Sequence, residues 1–426
     1  MDLNKVLDIL REQNYWDKEV GDLWYIRDLY LKRIIEWFWI SSIVKAIIWQ
    51  RRAWKSYIIR QLISYLINNK NVNPVNIFYI NMELSALSYI KTKDELEKVF
   101  EIYSKNIAKW WKIYLFIDEI QEIEWWEKYI NSLRADITKD VEICISWSNS
   151  KLLSWELATY LSWRYIKFNV YPFSYEEYLW LTWEEKWSNS LSNYLNIWGI
   201  PDLYNLQTKE LQKNYIESLK DTVILKDISI RYWVRDVATL EKLFYFLVWN
   251  TWNLSSINSL SWKLSAEWIN MSIGALSNYL RYLQEVFVFY WCDRYDIKGK
   301  KRLEWNKKYY LNDLSFQNYL LPKYDNNNGK KLENYVYCYL LQKWYSIYVW
   351  KLWDNEIDFV AEKEWWRIYV QVAYMLYDDS VIEREYWNLR KIEDSFPKYI
   401  ISMDPLKNPI DQYWIIHQQA RDITID

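Results

Sequence analysis

The pattern that most limits the fold of this chain is a series of five short apolar runs separated by helical stretches. The runs cover residues 43–48, 76–80, 113–117, 141–145 and 165–170. Continuous apolar runs of this length suit strands buried on both faces, as in a parallel sheet. Between them, residues 56–68, 93–109, 126–134 and 151–161 carry apolar side chains at helical spacing. This alternation predicts a parallel α/β sheet with helices on both faces. Residues 1–40 read as a helical lead-in and 41–180 as the first α/β domain. Residues 181–290 read as a helical region in which 272–283 have the spacing of a helix-turn-helix or winged-helix unit. From 291 to 426 the pattern is mixed again, with a helix at 331–342 and strands at 345–349, 357–361 and 367–373. The basic run 298–302 reads as a solvated turn.

Such a fold needs glycine at its turns, and glycine is nearly missing. The 426 residues include 5 Gly and 31 Trp, whereas about 7% Gly, roughly 30 residues, is usual. The local contexts agree. Asn250-Thr251-Trp252-Asn253 has Trp where the similar turn Asn326-Asn327-Asn328-Gly329 has Gly, and Trp198-Gly199-Ile200-Pro201 reads as a loop that wants two glycines. Most Trp therefore stand where Gly is expected. A gene that reads UGA as glycine, translated with UGA as Trp, accounts for the exchange. The wealth of Ile, Asn, Lys and Tyr, with 39 Tyr, fits an AT-rich genome of the kind in which such recoding occurs. The other reading, a Trp-rich protein, leaves many indoles exposed in polar turns without a partner.

The run Trp49-Gln50-Arg51-Arg52-Ala53-Trp54-Lys55-Ser56 follows the first strand and opens the first helix. With Gly at 49 and 54 it becomes G-x-x-x-x-G-K-S, the phosphate-binding loop. Backbone N–H groups must approach the phosphates closely there, and a Cβ, still more an indole, blocks the loop and its positive-φ turns. Lys55 is then placed for the β- and γ-phosphates, Ser56 for Mg²⁺, and the helix start adds its positive dipole end. Without the glycines it is a basic loop capping a helix. In the run Ile113-Tyr114-Leu115-Phe116-Ile117-Asp118-Glu119, an apolar strand ends in two acids. Asp118 is placed to order Mg²⁺ through water and Glu119 to polarise the attacking water. Such an ending is common alone; it gains weight by following the loop in this order. After the next strand, Ser148 or Asn149 is placed either to sense the γ-phosphate or to cap a helix. Arg164 reads as a cation sensing the γ-phosphate, within the subunit or across subunits, or as a surface ion-pair member.

With Gly restored, 49–56, Asp118–Gln121 with Trp125-Trp126-Glu127, 147–150, 162–165 and 172–178 resemble the AAA-type ATPases of bacteria and archaea. The likeness is to the large family that pairs an AAA domain with a C-terminal domain of unknown function, and it covers nearly the whole chain. In it Trp126 stays a true Trp. The resemblance implies a P-loop NTPase α/β fold that binds and hydrolyses ATP with Mg²⁺. It places Trp49, Gln50, Arg51, Arg52, Ala53, Trp54, Lys55 and Ser56 at the nucleotide, Ser56 and Asp118 at the metal, and Glu119, Asp118, Arg164 and Asn149 at the catalytic centre. Residues 291–426 resemble a degenerate restriction-endonuclease fold. Its active site needs an acid and then acid-x-Lys; Glu333 and Asp358 supply acids, but Gln371 and Ala373 stand in the last two places. The region is therefore expected to be inactive, with Glu333 and Asp358 in structural ion pairs.

Composition narrows the field further. The formal net charge is −2, so no global basic field marks nucleic acid as the main ligand. A single histidine, His417, excludes a multi-histidine metal site. Cys144, Cys292 and Cys338 lie in no disulfide or metal spacing, which fits a reduced, cytoplasmic setting. No apolar run reaches the ~18–20 residues of a membrane span, and no signal-peptide pattern opens the chain. The expectation is an ATPase in which nucleotide state drives conformation or assembly, with a homo-oligomer allowed and a DNA or protein partner left open. The alternatives are a nucleotide-independent scaffold, which is what a literal Trp49/Trp54 chain would be, and a DNA-binding regulator acting through residues 254–290 and the tail.

Overall fold

A computed structural model describes residues 3–21, 23–48, 55–109, 112–136, 138–148, 164–251, 255–296, 301–322, 327–352, 355–376, 378–405, 410–411 and 413–425. The expected loop 49–54, Asn149 and the expected helix 151–161 lie outside them. The chain divides into two compact units, Met1–Val170 and Tyr171–Asp426. Among the described residues, no helix is long and apolar enough to cross a membrane.

The first unit runs α1 (Leu3–Gln13), α2 (Asp28–Trp37), β1 (Val44–Ile48), α3 (Lys55–Lys70), β2 (Ile77–Asn81), α4 (Lys93–Asn106), β3 (Lys112–Asp118), α5 (Trp126–Ala135), β4 (Asp140–Trp147) and β5 (Tyr165–Asn169). The five strands form one parallel sheet in the order β2-β3-β4-β1-β5, so β4 lies between β1 and β3. Every residue of β1, and all of β3 but its first, is buried, as the continuous apolar runs require. The helices bury one stripe each: Val6 and Leu10 of α1, Tyr30 and Ile34 of α2, Leu96, Val99 and Tyr103 of α4. The start of α4 is fixed by a capping box between Thr92 and Glu95. Inside the sheet, Lys45 of β1 and Glu142 of β4 form a fully buried ion pair. Burial pushes the Lys45 ammonium down and the Glu142 carboxyl up, so each needs the other.

The second unit begins with α6 (Tyr175–Thr182), α7 (Ser188–Ile197), α8 (Lys209–Thr222), a π-helical turn (Val223–Ile230), α9 (Val237–Trp249), α10 (Ile257–Ala266) and α11 (Ile273–Glu285). It continues with β6 (Phe289–Asp296), β7 (Lys301–Leu311), α12 (Ser315–Leu320), α13 (Asn328–Gln342), β8 (Ser346–Leu352), β9 (Asn355–Lys363), β10 (Trp366–Ala373), α14 (Asp379–Arg390), β11 (Lys398–Ser402) and β12 (Ile415–Gln419). The strands form a mixed sheet ordered β12-β11-β10-β9-β8-β6-β7. One apolar core runs from Tyr175 and Leu191 through Leu243 and Leu280 to Val336, Phe359 and Ile423. Helices and sheet share it, so residue 290 marks no break in packing. The hairpin β6–β7, which would be the wing of a winged helix, is an edge of this sheet. Lys301 and Arg302 of the expected basic turn belong to β7; 298–300 lie outside the described residues.

Backbone geometry bears directly on the glycine shortage. Among the described residues twelve non-glycine residues have positive φ, and eight are Trp: Trp24, Trp125, Trp183, Trp198, Trp233, Trp268, Trp344 and Trp414. Trp183 follows α6 directly, while Trp268 and Trp344 stand just past α10 and α13, the helix-end positions that favour glycine. Trp198, at φ 70° and ψ −161°, occupies a region that is essentially glycine's alone. At its neighbour Gly199, a Cβ would lie 2.5 Å from the Phe173 carbonyl oxygen. Trp147 ends β4 fully buried, its indole N–H without a hydrogen-bond partner among the described residues. Trp16 differs: its Nε1 donates to the Ile77 carbonyl at 2.8 Å and its ring stacks on Tyr103. Trp126 is likewise buried within α5.

A left-handed conformation costs an L-residue roughly 1–2 kcal/mol that glycine escapes. Trp233, Trp268 and Trp414 are at least 80% exposed and lose little packing on truncation. Trp233→Gly, Trp268→Gly and Trp414→Gly are each expected to stabilise the chain by about 1 kcal/mol in denaturant titrations. Trp16→Gly and Trp126→Gly are expected to destabilise it by roughly 3–5 kcal/mol. Equal losses in both groups would contradict the assignment.

Candidate functional site

In an open parallel sheet the ligand crevice lies at the carboxyl ends of the strands. At that edge of the first unit β1 ends at Ile48, β3 at Asp118 and β4 at Trp147, and α3 begins at Lys55. The residues of α3 come to the end of β3. Lys55 Nζ lies 3.3 Å from Glu119 Oε1, both side chains nearly enclosed. The Ser56 hydroxyl stands close enough to the Asp118 carboxylate to favour its charged form.

Asp118 is the most sheltered member, with no exposed surface. Ser146 of β4 donates its hydroxyl to Asp118 Oδ1 and accepts the Glu119 N–H at 3.1 Å. Tyr79 of β2 donates its hydroxyl to Asp118 Oδ2 at 3.4 Å. Burial, and next the Glu119 charge, push the Asp118 carboxyl up; the Ser146 and Ser56 hydroxyls and the Lys55 ammonium oppose them. Glu119 itself has φ 54° and ψ 49°, a left-handed backbone that turns its side chain out of the strand pleat. Gln121 donates to Glu119 Oε2 and reaches Ser148 Oγ at 3.4 Å, so the Glu119 carboxylate is held between Lys55 and Gln121.

An ammonium and a hydroxyl at a helix start, facing two carboxylates at a strand end, form a donor set that fits a Mg-bound triphosphate. Of the expected site residues, the structure brings together Lys55, Ser56, Asp118 and Glu119, with Ser148 reached through Gln121. Trp49, Gln50, Arg51, Arg52, Ala53, Trp54 and Asn149 lie outside the described residues. Ser146 and Tyr79 were not singled out from the sequence. Ser146, a polar residue inside an apolar strand, was the available signal; Tyr79 gave none.

Arg164 lies elsewhere. Its carbonyl accepts the N–H of Val44, the first residue of β1, and Tyr165 pairs with Val44 at the amino end of the sheet. The length of β1, about 16 Å for a five-residue strand, separates that edge from Glu119. Arg164 therefore stands at the edge of the sheet opposite to Lys55 and Glu119. The side chain is exposed, and burial first and then the Arg164 charge lower the affinity of the Arg134 guanidinium for its proton.

The acids expected in the second unit also meet. Glu333 of α13 and Asp358 of β9 lie 2.6 and 3.7 Å from the Nζ of Lys308 on β7, and Glu356 lies 3.1 Å from it. Gln371 accepts the Asp358 N–H at 3.3 Å and donates to Glu385 at 2.8 Å. Ala373 brings no functional group. The sequence reading found no lysine at this centre, and the structure supplies one. Lys308 escaped notice because it comes from a strand far from the motif in sequence. The helix pair α10–α11 borders a groove of about 750 Å³ lined by Ser255, Asn258, Ser277, Arg281 and Lys307. Lys307 is paired with Asp293 at 3.1 Å, so this face is not broadly basic. His417 is buried and shares a hydrogen bond of 2.8 Å with Ser402.

Comparison with known proteins agrees with this geometry. Residues 42–179 match the model of an AAA domain, and residues 188–327 match a domain of unknown function (DUF8612). An uncharacterized protein of Haemophilus influenzae is 34% identical over 79% of this chain and 84% of its own length. The uncharacterized protein MJ1544 of Methanocaldococcus jannaschii is 26% identical over 78% of this chain and 74% of its own. Among solved structures, the Walker-type ATPase PABY2304 of Pyrococcus abyssi is similar at a TM-score of 0.48 and 14% identity, covering 70% of this chain and 96% of that one. With a five-stranded parallel sheet under its AAA match and a relative this similar over most of both lengths, the chain belongs to the family of AAA-domain proteins that continue into a C-terminal domain of unknown function.

Proposed function

We propose that the first unit binds and hydrolyses ATP with Mg²⁺ at the edge formed by Lys55, Ser56, Asp118 and Glu119. The observation that carries this reading is the meeting of Lys55 with Glu119 and of Ser56 with Asp118. Lys55 holds the β- and γ-phosphate oxygens, and the first turn of α3 adds its N–H groups. Ser56 and Asp118 hold the metal, which when bound supplies charge neutralisation at the phosphates. Ser146 and Tyr79 keep Asp118 oriented. Phosphate oxygens compete with Glu119 for the Lys55 ammonium, and the released carboxylate, still held by Gln121, turns to a water and takes its proton. Arg164, at the opposite edge, serves this reaction only from a neighbouring copy. Asn149 remains a candidate beside Ser148 for contact with the γ-phosphate.

The reading requires glycine at 49 and 54, and we extend it to the gene. The positive-φ Trp residues support UGA codons read as glycine. Sequencing is expected to show UGA at Trp49, Trp54, Trp147, Trp163 and Trp198, and at Trp233 and Trp268, with UGG at Trp16 and Trp126. UGG at Trp49 and Trp54 would end the recoding proposal and favour a nucleotide-independent scaffold. The second unit is read as a nuclease-like fold that cuts no nucleic acid and serves recognition, since Gln371 and Ala373 stand in the last two motif places and the lysine that reaches the centre, Lys308, is held in ion pairs with its acids.

In the chain carrying Trp49→Gly and Trp54→Gly, Lys55→Ala is expected to weaken ATP binding by at least about 100-fold. Glu119→Gln is expected to preserve binding while lowering kcat by roughly 10²–10⁴. Calorimetry and phosphate release measure the two effects. Unchanged turnover in Glu119→Gln would remove it from the reaction.

A further inference from the structure

The cluster in the second unit is built around a lysine. Lys308 Nζ meets Glu333 Oε1 at 2.6 Å, Glu356 Oε1 at 3.1 Å and Asp358 Oδ1 at 3.7 Å. These oxygens come from α13 and β9, while the lysine comes from β7. Lys308 is 4% exposed and Asp358 8%. Tyr310 donates to the same Glu333 Oε1 at 2.6 Å, and the Val372 N–H donates to Asp358 Oδ2 at 2.8 Å. Gln371 links the backbone of Asp358 to Glu385.

We infer that the Lys308 ammonium is the resident cation of this centre, filling the place among the carboxylates that a divalent metal would take. Three carboxylate oxygens converging on one point from two elements is an arrangement that Mg²⁺ or Mn²⁺ accepts. A lysine there brings three N–H donors and one unit of charge, hydrogen-bonding Glu356 and lying within ion-pair distance of Glu333 and Asp358. With the ammonium in place, a metal must either displace a buried lysine or share its oxygens with a like charge, and both are costly. Among the described residues, no group of three or more His, Cys, Asp or Glu is placed to hold a metal ion as it stands. Burial and the Glu333 charge push the Asp358 carboxyl well up, with the lysine opposing them; removing the lysine leaves an excess of negative charge that a divalent cation relieves. The inference concerns the second unit alone and stands whether or not the first hydrolyses ATP.

Mn²⁺ titrations of the nucleotide-free full chain, read by electron paramagnetic resonance of the free ion, test this. Four proteins are compared: wild type, Asp358→Asn, Lys308→Gln and Lys308→Gln/Asp358→Asn. Any site in the first unit is common to all four and cancels. Lys308→Gln is expected to bind one more Mn²⁺ than wild type, and the double variant to lose it. Asp358→Asn alone is expected to leave the wild-type stoichiometry unchanged. Lys308→Gln is also expected to melt roughly 10 °C lower without metal and to regain much of that shift in 1 mM Mn²⁺. Loss of a bound Mn²⁺ on going from wild type to Asp358→Asn would overturn the inference, because the native centre would already hold metal. So would a folded Lys308→Gln chain that takes up no additional ion. Should that variant fold only in Mn²⁺, the inference is supported; failure to fold with or without Mn²⁺ counts against it.

Discussion

The tie between the start of α3 and the end of β3 is the interaction on which the chemistry proposed for the first unit depends. Lys55 meets Glu119, and Ser56 meets Asp118. These contacts require β3 and α3 to reach the same edge of the sheet, which the parallel order with β4 between β1 and β3 provides. They also require Asp118 to accept full burial, at a cost that the Ser146 and Tyr79 hydroxyls offset. The left-handed turn at Glu119 lets two consecutive acids serve different tasks, one locked beneath the surface and one facing Lys55.

The two units handle a lysine among carboxylates in different ways. In the first, Lys55 lies 3.3 Å from Glu119, and a phosphate can exchange with that acid. In the second, Lys308 is gripped by three acids from two elements, and exchange would strand several buried charges together. The first arrangement suits a reversible ligand site and the second a permanent one.

Much of the first unit was legible in the sequence because a parallel sheet writes itself as continuous apolar runs. The five expected runs coincide with β1–β5 to within a residue or two, and Lys55, Ser56, Asp118 and Glu119 were readable from motif order. Position in space was less legible. Arg164 follows the same motifs in sequence, but whether a residue flanks the amino or the carboxyl end of a strand depends on chain direction through the sheet, and β5 starts at the far edge. In the second unit the sequence reads only as mixed from 291, and β6 and β7, whose charged and aromatic residues stand together in one strand, carry no separate signal. Lys308 was hidden because a cross-strand ion pair has no local signature. The glycine shortage was visible in composition, but the backbone tells which Trp occupy glycine's conformations, as at Trp198 and Trp268.

The central claim is that a nucleotide occupies this edge once glycine stands at 49 and 54. It is tested most directly by titrating Mg-ATP into two chains that differ only by Trp49→Gly and Trp54→Gly, with heat of binding as the signal. The account predicts saturable one-to-one binding in the substituted chain and binding weaker by at least about 100-fold in the chain as written, because two indoles fill the space of the phosphates. Equal affinities in the two chains would contradict it.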